Sequence, residues 1–488
     1  MIKKEIIANC TSDETRVAFL EDGKLSDIFI ERPESTKIVR NVYKGKVEAT
    51  LQGISSAFVN IGLEKNGYLH ISDSVAGAPQ IYADTVNQGI AKKHHIDKVL
   101  HKGLEIMVQV SKEAISTKGV KLTMNISLPG KYLVFMPFED HMAISKSINN
   151  RKEKDRLRKI LEGVCTENKG FIVRTEAEGA TNEELKREVR YLYRLWKIIL
   201  KKYNNSQAPA LVHKDLGLTF QTVRDVLNEE INVFLIDSKK EHGDVLGFVD
   251  LIAPELKNKV RHYDSKTPIF TAFNVEEELE KIRHSRIKLP RGGTIIIQEA
   301  ESLCAIDVNT GKFKGKESQE ETIFETNKEA AIEIGRQLRL RNIGGIIVID
   351  FIDMKNQKNR QRIYNILHEI VRHDKAKTKI LPITRLGLIE MTRERKRESI
   401  VSYLGEICPE CSGSGQVLSR ESMFIKLKRE ILDLTKGRSY GKLRLALNPM
   451  VAEYVRQRQK RLENALKRSI QIQTEPTLKW EDYKIILE

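Results

Sequence analysis

The chain runs to 488 residues, which suits roughly three to four ordinary domains better than a single core. Its 83 lysines and arginines exceed its 67 aspartates and glutamates, a formal net charge of +16 that calls for a polyanionic partner without separating RNA from DNA or anionic lipid. No run approaches the ~18 apolar residues of a membrane span, the amino terminus lacks a signal-peptide core, and three of the five cysteines stand alone, so a cytoplasmic protein is expected rather than a membrane or disulfide-built one.

In chain order, Glu5–Asn9, Arg16–Leu20 and Asp27–Glu31 read as strands too few to close a core alone. The stretch from about 210 to 285, with Val233–Asp237, is the candidate partner, and Asp237 reads as a solvated strand end. Short strands separated by glycine turns, Val42–Ala49, Ala57–Gly62 and Gly67–Ile71, give residues from about 40 to 125 the texture of an OB barrel. Phe58 and Tyr68 offer faces for base stacking, and Lys44, Lys46 and Lys118 offer charge to phosphates, although either aromatic alone reads as core. A new unit begins near Leu122–Val134. It continues through a basic helix at Arg151–Leu161 and a strand at Gly170–Thr175. A helix from Thr181 follows, with a capping box to Glu184 and a core stripe of Leu185, Val189, Leu192, Trp196 and Ile199.

Asp307 closes the apolar run Leu303–Ile306, and Asp350 closes Gly344–Ile349. Each alone reads as a solvated strand end, but an acid at the rim of an α/β sheet stands where ligands collect, and paired carboxylates suit Mg²⁺. Asn309, two residues past Asp307, points to the same side of an extended chain and can steer a carboxylate or a scissile phosphate. Asp353 offers a supporting carboxylate. A capping box at Ser318–Glu321 starts the joining helix, which passes Asn327, Ala330, Ile334, Arg336, Leu338 and Arg339 before Gly344 ends it.

Cys408 and Cys411, backed by Gly413 and Gly415, have the tight-turn spacing that lets two thiolates grip one metal, whereas structural zinc takes four ligands. Histidines, a second subunit, or a redox role for the pair would each resolve the shortfall, and no thioredoxin-like context is read around it. Beyond it, Lys426, Lys428, Arg429, Arg456, Arg458, Lys460 and Arg461 mark an assembly surface or a solvated face.

The runs Ala305–Asn309, Arg336–Arg341, Gly344–Met354 and Cys408–Gly415, in that order, resemble the RNase E/G endoribonucleases, and the likeness extends over nearly the whole chain. The resemblance implies a multidomain α+β and α/β protein. Its parts would be a discontinuous RNase H-like structural domain (1–37 and 213–285), an OB-fold RNA-binding domain (38–124), a 5′-monophosphate sensor (125–212), a DNase I-like catalytic domain (286–404), a zinc link (405–417) and a small oligomerisation domain (418–488).

The same resemblance assigns Asp307, Asn309 and Asp350 to catalysis, with Mg²⁺ on the two aspartates. It assigns Gly130, Val134, Arg174 and Thr175 to the terminal phosphate, and Phe58, Tyr68 and Lys118 to RNA, Tyr68 standing where phenylalanine is common. Lys377 replaces a family arginine, keeping charge but losing the bidentate fork. Cys408 and Cys411 would bind Zn²⁺ between protomers of a dimer that can pair into a tetramer. No long acidic or proline-rich scaffold tail follows, as in the shorter G type. The expected activity is Mg-dependent hydrolysis of single-stranded RNA to 5′-phosphate and 3′-hydroxyl ends, stimulated by a 5′-monophosphate, in rRNA and tRNA processing and mRNA decay. A non-catalytic RNA-binding factor is the alternative, and a DNA phosphodiesterase shares the metal chemistry.

Overall fold

The three amino-terminal strands, Lys4–Cys10, Thr15–Glu21 and Lys24–Glu31, form an antiparallel meander, and Val233–Ile236 and then Val260–His262 extend it in parallel from its first strand. Helices Leu218–Asp225 and Lys239–Ile252 bury Leu218, Val223, Val245 and Val249 with Ile6, Ala8, Val17 and Phe234. The structure, a computed structural model, describes residues 2–33, 38–74, 100–112, 119–165, 169–310, 319–372, 374, 376–395, 398–436 and 442–487. The chain forms two units, Met1–Arg397 and Glu398–Glu488. Asp237 is no solvated strand end. Its oxygens accept from Asn9 Nδ2 at 2.6 Å and Cys10 N at 2.8 Å, because parallel pairing brings the two strand ends together.

Strands Val42–Leu51, Ser56–Asn60, Gly67–His70, Lys121–Thr123 and Glu105–Lys112 close into an OB-like barrel, the last pairing back onto the first. Closure is tight at Gly67, where a β-carbon would lie 2.5 Å from Leu122 Cδ1. Next comes a four-stranded sheet of Leu128–Pro129, Leu133–Met136, Gly170–Val173 and Met142–Ile144, backed by helices Arg151–Val164 and Asn182–Asn205. The Thr181 and Glu184 capping box is made in both directions, and Leu185, Val189, Leu192, Trp196 and Ile199 are all buried.

The six-stranded sheet runs Arg286–Lys288, Thr294–Glu299, Leu303–Asn309, Gly345–Asp350, Leu388–Arg393, Thr378–Ile380. Burial alternates along Leu303–Asn309: Cys304, Ile306 and Val308 face a core shared with helices Gln319–Leu340 and Gln357–Arg372, and the odd-numbered residues face outward. Each fully buried aliphatic there contributes about 1.5–3 kcal/mol by area. The first of these helices ends at Leu340, earlier than Gly344 suggests. Asn342 takes the left-handed turn at φ 54°, with its N–H on the Arg339 carbonyl, so an asparagine does the work expected of glycine. Ser318, the expected cap, lies outside the described residues.

Arg336 and Arg339 tie this helix to the first sheet. Arg336 Nη1 donates to the Leu25 carbonyl and Glu278, and Arg339 grips Glu21 with both terminal nitrogens at 3.0 and 2.9 Å. In the second unit, strands Leu443–Leu447, Ile470–Thr474 and Tyr483–Leu487 carry helices Arg420–Thr435, Pro449–Arg456 and Gln459–Leu466 over a core of Met423, Leu427, Leu445 and Val451. Among the described residues no helix is long and apolar enough to cross a membrane.

Candidate functional site

Parallel pairing places Asp307 directly opposite Asp350, both on the open face at one end of the six-stranded sheet. Adjacent strands lie about 4.8 Å apart, close enough for two carboxylates to share one cation. Asn309 Nδ2 donates to Asp307 Oδ2 at 2.6 Å and orients it. The Asp350 carboxyl is pushed above its ordinary value, by partial burial first and then by the negative charges of Asp307 and Asp353.

The segment after Asp350 is pinned from below. Asn327, fully buried, donates to the Ile352 carbonyl at 2.8 Å and accepts from the Ile352 N–H at 3.1 Å, and Glu320 accepts from the N–H groups of Lys355 and Asn356. Beside it, a cavity of about 160 Å³ is lined by Asp353, Met354, Arg360, Arg385 and Leu386. Among the described residues no three His, Cys, Asp or Glu side chains gather into a metal cage. Two hard carboxylates facing open solvent fit a magnesium ion that keeps most of its waters.

Phe58 and Tyr68 are register partners on the barrel, half-exposed, with ring centroids 6.3 Å apart in an edge contact. The Tyr68 hydroxyl accepts from Ser56 Oγ at 2.7 Å. Lys118 lies outside the described residues. Lys44 is no phosphate contact of the kind its sequence position suggests. Its ammonium sits over Tyr203, donates to the Ser206 carbonyl and pairs with Glu105 at 2.9 Å.

A second polar cluster gathers around Arg174. Its Nη1 donates to the Gly130 carbonyl at 2.6 Å and to Asp225 Oδ1 at 2.8 Å, while Thr175 Oγ1 meets Ser145 Oγ at 3.1 Å. Val134, half-exposed, pairs with Ile172 in the adjoining strand. Gly130 must be glycine, since a β-carbon would fall inside the Glu188 carboxylate. Glu188 is buried and accepts the Tyr132 N–H with both oxygens, at 3.1 and 2.8 Å, and burial pushes its carboxyl up to about 7. Lys377 meets Glu394 across the edge of the six-stranded sheet, and no hydrogen bond or ion pair joins it to Arg174.

Asp225, missed by sequence reasoning, ends the helix Leu218–Asp225 and belongs to the first sheet's layer. Arg224 holds it through Nε at 3.1 Å and Nη2 at 2.8 Å. Burial alone would raise the Asp225 carboxyl, but hydrogen bonds and charges from Arg224 and Arg174 outweigh it and hold the group below its ordinary value.

In the second unit the thiols sit on a knuckle built from positive-φ residues, Ser412, Gly413 and Gly415. The Gly415 N–H reaches Cys411 Sγ at 3.3 Å, and backbone N–H groups of Gly415 and then Gly413 draw that thiol's pKa down. Glu410 anchors the knuckle by accepting the Trp480 N–H at 2.8 Å.

The model of the ribonuclease E/G family matches residues 127–396, and a model described as RNase E/G, thioredoxin-like domain, matches 407–487. The second match corrects the reading that no thioredoxin-like context surrounds Cys408 and Cys411. The matched segment runs over 81 residues, far beyond the motif itself. The chain is 36% identical to ribonuclease G of Escherichia coli K12 over 487 residues, covering 99% of both proteins. It is 39% identical to ribonuclease G of Haemophilus influenzae over 451 residues, 92% of this chain and 91% of that one. It is 33% identical to ribonuclease E of Escherichia coli K12 over 474 residues, 95% of this chain and 43% of that one.

Proposed function

The chain belongs to the ribonuclease E/G family, is of the ribonuclease G type and is an endoribonuclease, and from that premise we propose that it cuts single-stranded RNA at Asp307 and Asp350 in a magnesium-dependent hydrolysis. The observation that carries this reading is the register pairing of the two aspartates with Asn309 hydrogen-bonded to the first. Asp307 and Asp350 would hold the ion, and Asn309 fixes one Asp307 oxygen by its hydrogen bond. Bound magnesium supplies Lewis acidity for activating water and balances charge on the phosphorane. Water as nucleophile leaves 5′-phosphate and 3′-hydroxyl ends and needs no histidine pair. Phe58 and Tyr68 would stack bases of the strand, and Gly130, Val134, Arg174 and Thr175 would receive a 5′-monophosphate end, with Lys377 adding charge.

In this reading the first sheet is an RNase H-like structural domain (1–37 and 213–285) interrupted by the barrel (38–124) and the sensor (125–212). The six-stranded sheet is DNase I-like (286–404), and a zinc link (405–417) and small domain (418–488) follow. Cys408 and Cys411 would share one zinc with the same pair of a second copy, giving a dimer or a pair of dimers. The role lies in RNA processing, and we assign rRNA and tRNA maturation and mRNA decay to it. Matched RNA and DNA oligonucleotides, incubated with and without Mg²⁺, test the proposal. The RNA alone should be cut, only with the ion, and the downstream fragment should carry a 5′-phosphate. Cleavage of the DNA, or RNA products ending in a 2′,3′-cyclic phosphate, would refute it.

A further inference from the structure

The Arg174 guanidinium is held from two sides that belong to different sheets. The Gly130 carbonyl comes from its own sheet's loop, fixed in place by buried Glu188, and Asp225 comes from the last residue of a helix packed on the amino-terminal sheet, 51 residues away in sequence. An aspartate at a helix C-terminus faces the unfavourable end of the dipole, so the helix itself gives no reason for one there. The reason lies in what it touches. Asp225 is gripped by Arg224, whose side chain is 2% exposed, and Arg224 continues to Asp215 at 3.6 Å. Arg174, Asp225, Arg224 and Asp215 thus alternate in sign along one chain of contacts, which leaves the line neutral and each member fixed.

Both bonds to Arg174 fall on Nη1. Its Nε lies 3.4 Å from Glu176, and Nη2 has no hydrogen-bond partner among the described residues. A guanidinium so clamped is held against swinging about its long stem and keeps Nη2 in a fixed position for an anionic ligand.

We propose that Asp225 is the positioning residue of the 5′-end pocket: its carboxylate, locked by Arg224, aims Arg174 at the terminal phosphate and makes recognition of the RNA end depend on the amino-terminal sheet's layer. The proposal rests on the reading of Arg174 and Thr175 as a 5′-monophosphate site. Removing the carboxylate's charge leaves Nη1 held by the Gly130 carbonyl alone and loosens the guanidinium, so phosphate binding loses directional strength on the scale of one charge-assisted hydrogen bond, about tenfold.

The test uses the full-length protein and two oligonucleotides of one sequence, one 5′-monophosphorylated and one 5′-hydroxyl, and reads the ratio of their cleavage rates. The native ratio should exceed one, Asp225→Asn should bring it down toward that of Arg174→Ala, and Asp225→Glu should recover part of it. Glu255→Gln, which breaks the separate Arg187–Glu255 pair between the same two layers, should leave the native ratio in place. A native ratio in Asp225→Asn would overturn the positioning role while the end-binding reading stands. A ratio that rises would show Asp225 competing with phosphate instead, and equal loss on both oligonucleotides would reduce it to a structural residue. A ratio of one in the native enzyme would remove the end-binding reading and this inference with it.

Discussion

The two polar sites of the first unit are built with opposite electrostatics. At the sheet end, Asp307 and Asp353 set negative charge beside Asp350, whose carboxyl is raised by partial burial first and by those charges second. Around Arg174 every charge has its counter-charge, and the Asp225 carboxyl is held down. On the reading proposed above, the first site would take a cation and the second an anionic RNA end. A site of the first kind should lose its reaction when a carboxylate goes, whereas one of the second should lose discrimination.

The largest effect therefore belongs to the aspartates. Asp307→Asn or Asp350→Asn should lower cleavage by about 10³-fold or more while RNA affinity stays within about twofold, because base and phosphate contacts lie elsewhere. Thermal unfolding sharpens the contrast. Without metal, Asp350→Asn should melt above the native protein, since a like-charge contact is gone, and Mg²⁺ should raise the melting temperature of the native protein alone. An Asp350→Asn enzyme that cuts at near native rate in Mg²⁺ would break the assignment.

Gly130→Ala probes the second site through its backbone. The added β-carbon collides with the Glu188 carboxylate, which is boxed in by N–H groups and cannot retreat. Overpacking of this kind costs about 1–3 kcal/mol, so the melting temperature should fall, and cleavage of 5′-monophosphorylated RNA should fall by more than that of its 5′-hydroxyl twin. Unchanged melting would mean that the loop is freer than its hydrogen bonds indicate.

The proposed zinc pair of the second unit, Cys408 and Cys411, can be tested in the same way. If two copies share the ion, the protein should carry about one zinc per two chains, and Cys408→Ser with Cys411→Ser should lower the oligomer's mass in light scattering. One zinc per chain, or an unchanged mass, would place all the ligands in one subunit.

The same contrast decides what the sequence could reveal. Asp307, Asn309 and Asp350 lie on two adjacent strands joined by one helix, so periodicity alone puts them on one face, and parallel pairing does the rest. Asp225 carries no such signal, because its partner is 51 residues distant and on another sheet. Lys44 misleads for a related reason. Strand alternation gives its direction, but only the packing of the helix Asn182–Asn205 against the barrel brings Tyr203 under its ammonium. Arg336 and Arg339, which the sequence places only on the joining helix, turn out to hold sheets together. Local periodicity reports faces, and ion pairs between layers need the layers themselves.

The smallest effect is the pH dependence of the neutral line of charges. Asp225 has its folded carboxyl held below the ordinary 3.8, while in the unfolded chain it returns to that value. The folded state then binds fewer protons than the unfolded one in the interval between the two values, so this group's contribution is complete above 3.8 and disappears as pH falls through the folded value. Asp225→Asn has no such proton to gain. The native protein should therefore be more stable than the variant near pH 7, by an amount that stays flat down to about pH 5 and closes below about pH 4. Chemical denaturation of both proteins across that range measures the gap. A gap that persists unchanged at about pH 3 would mean that the stability comes from packing around the helix end and that the pairing with Arg174 and Arg224 contributes nothing to the fold.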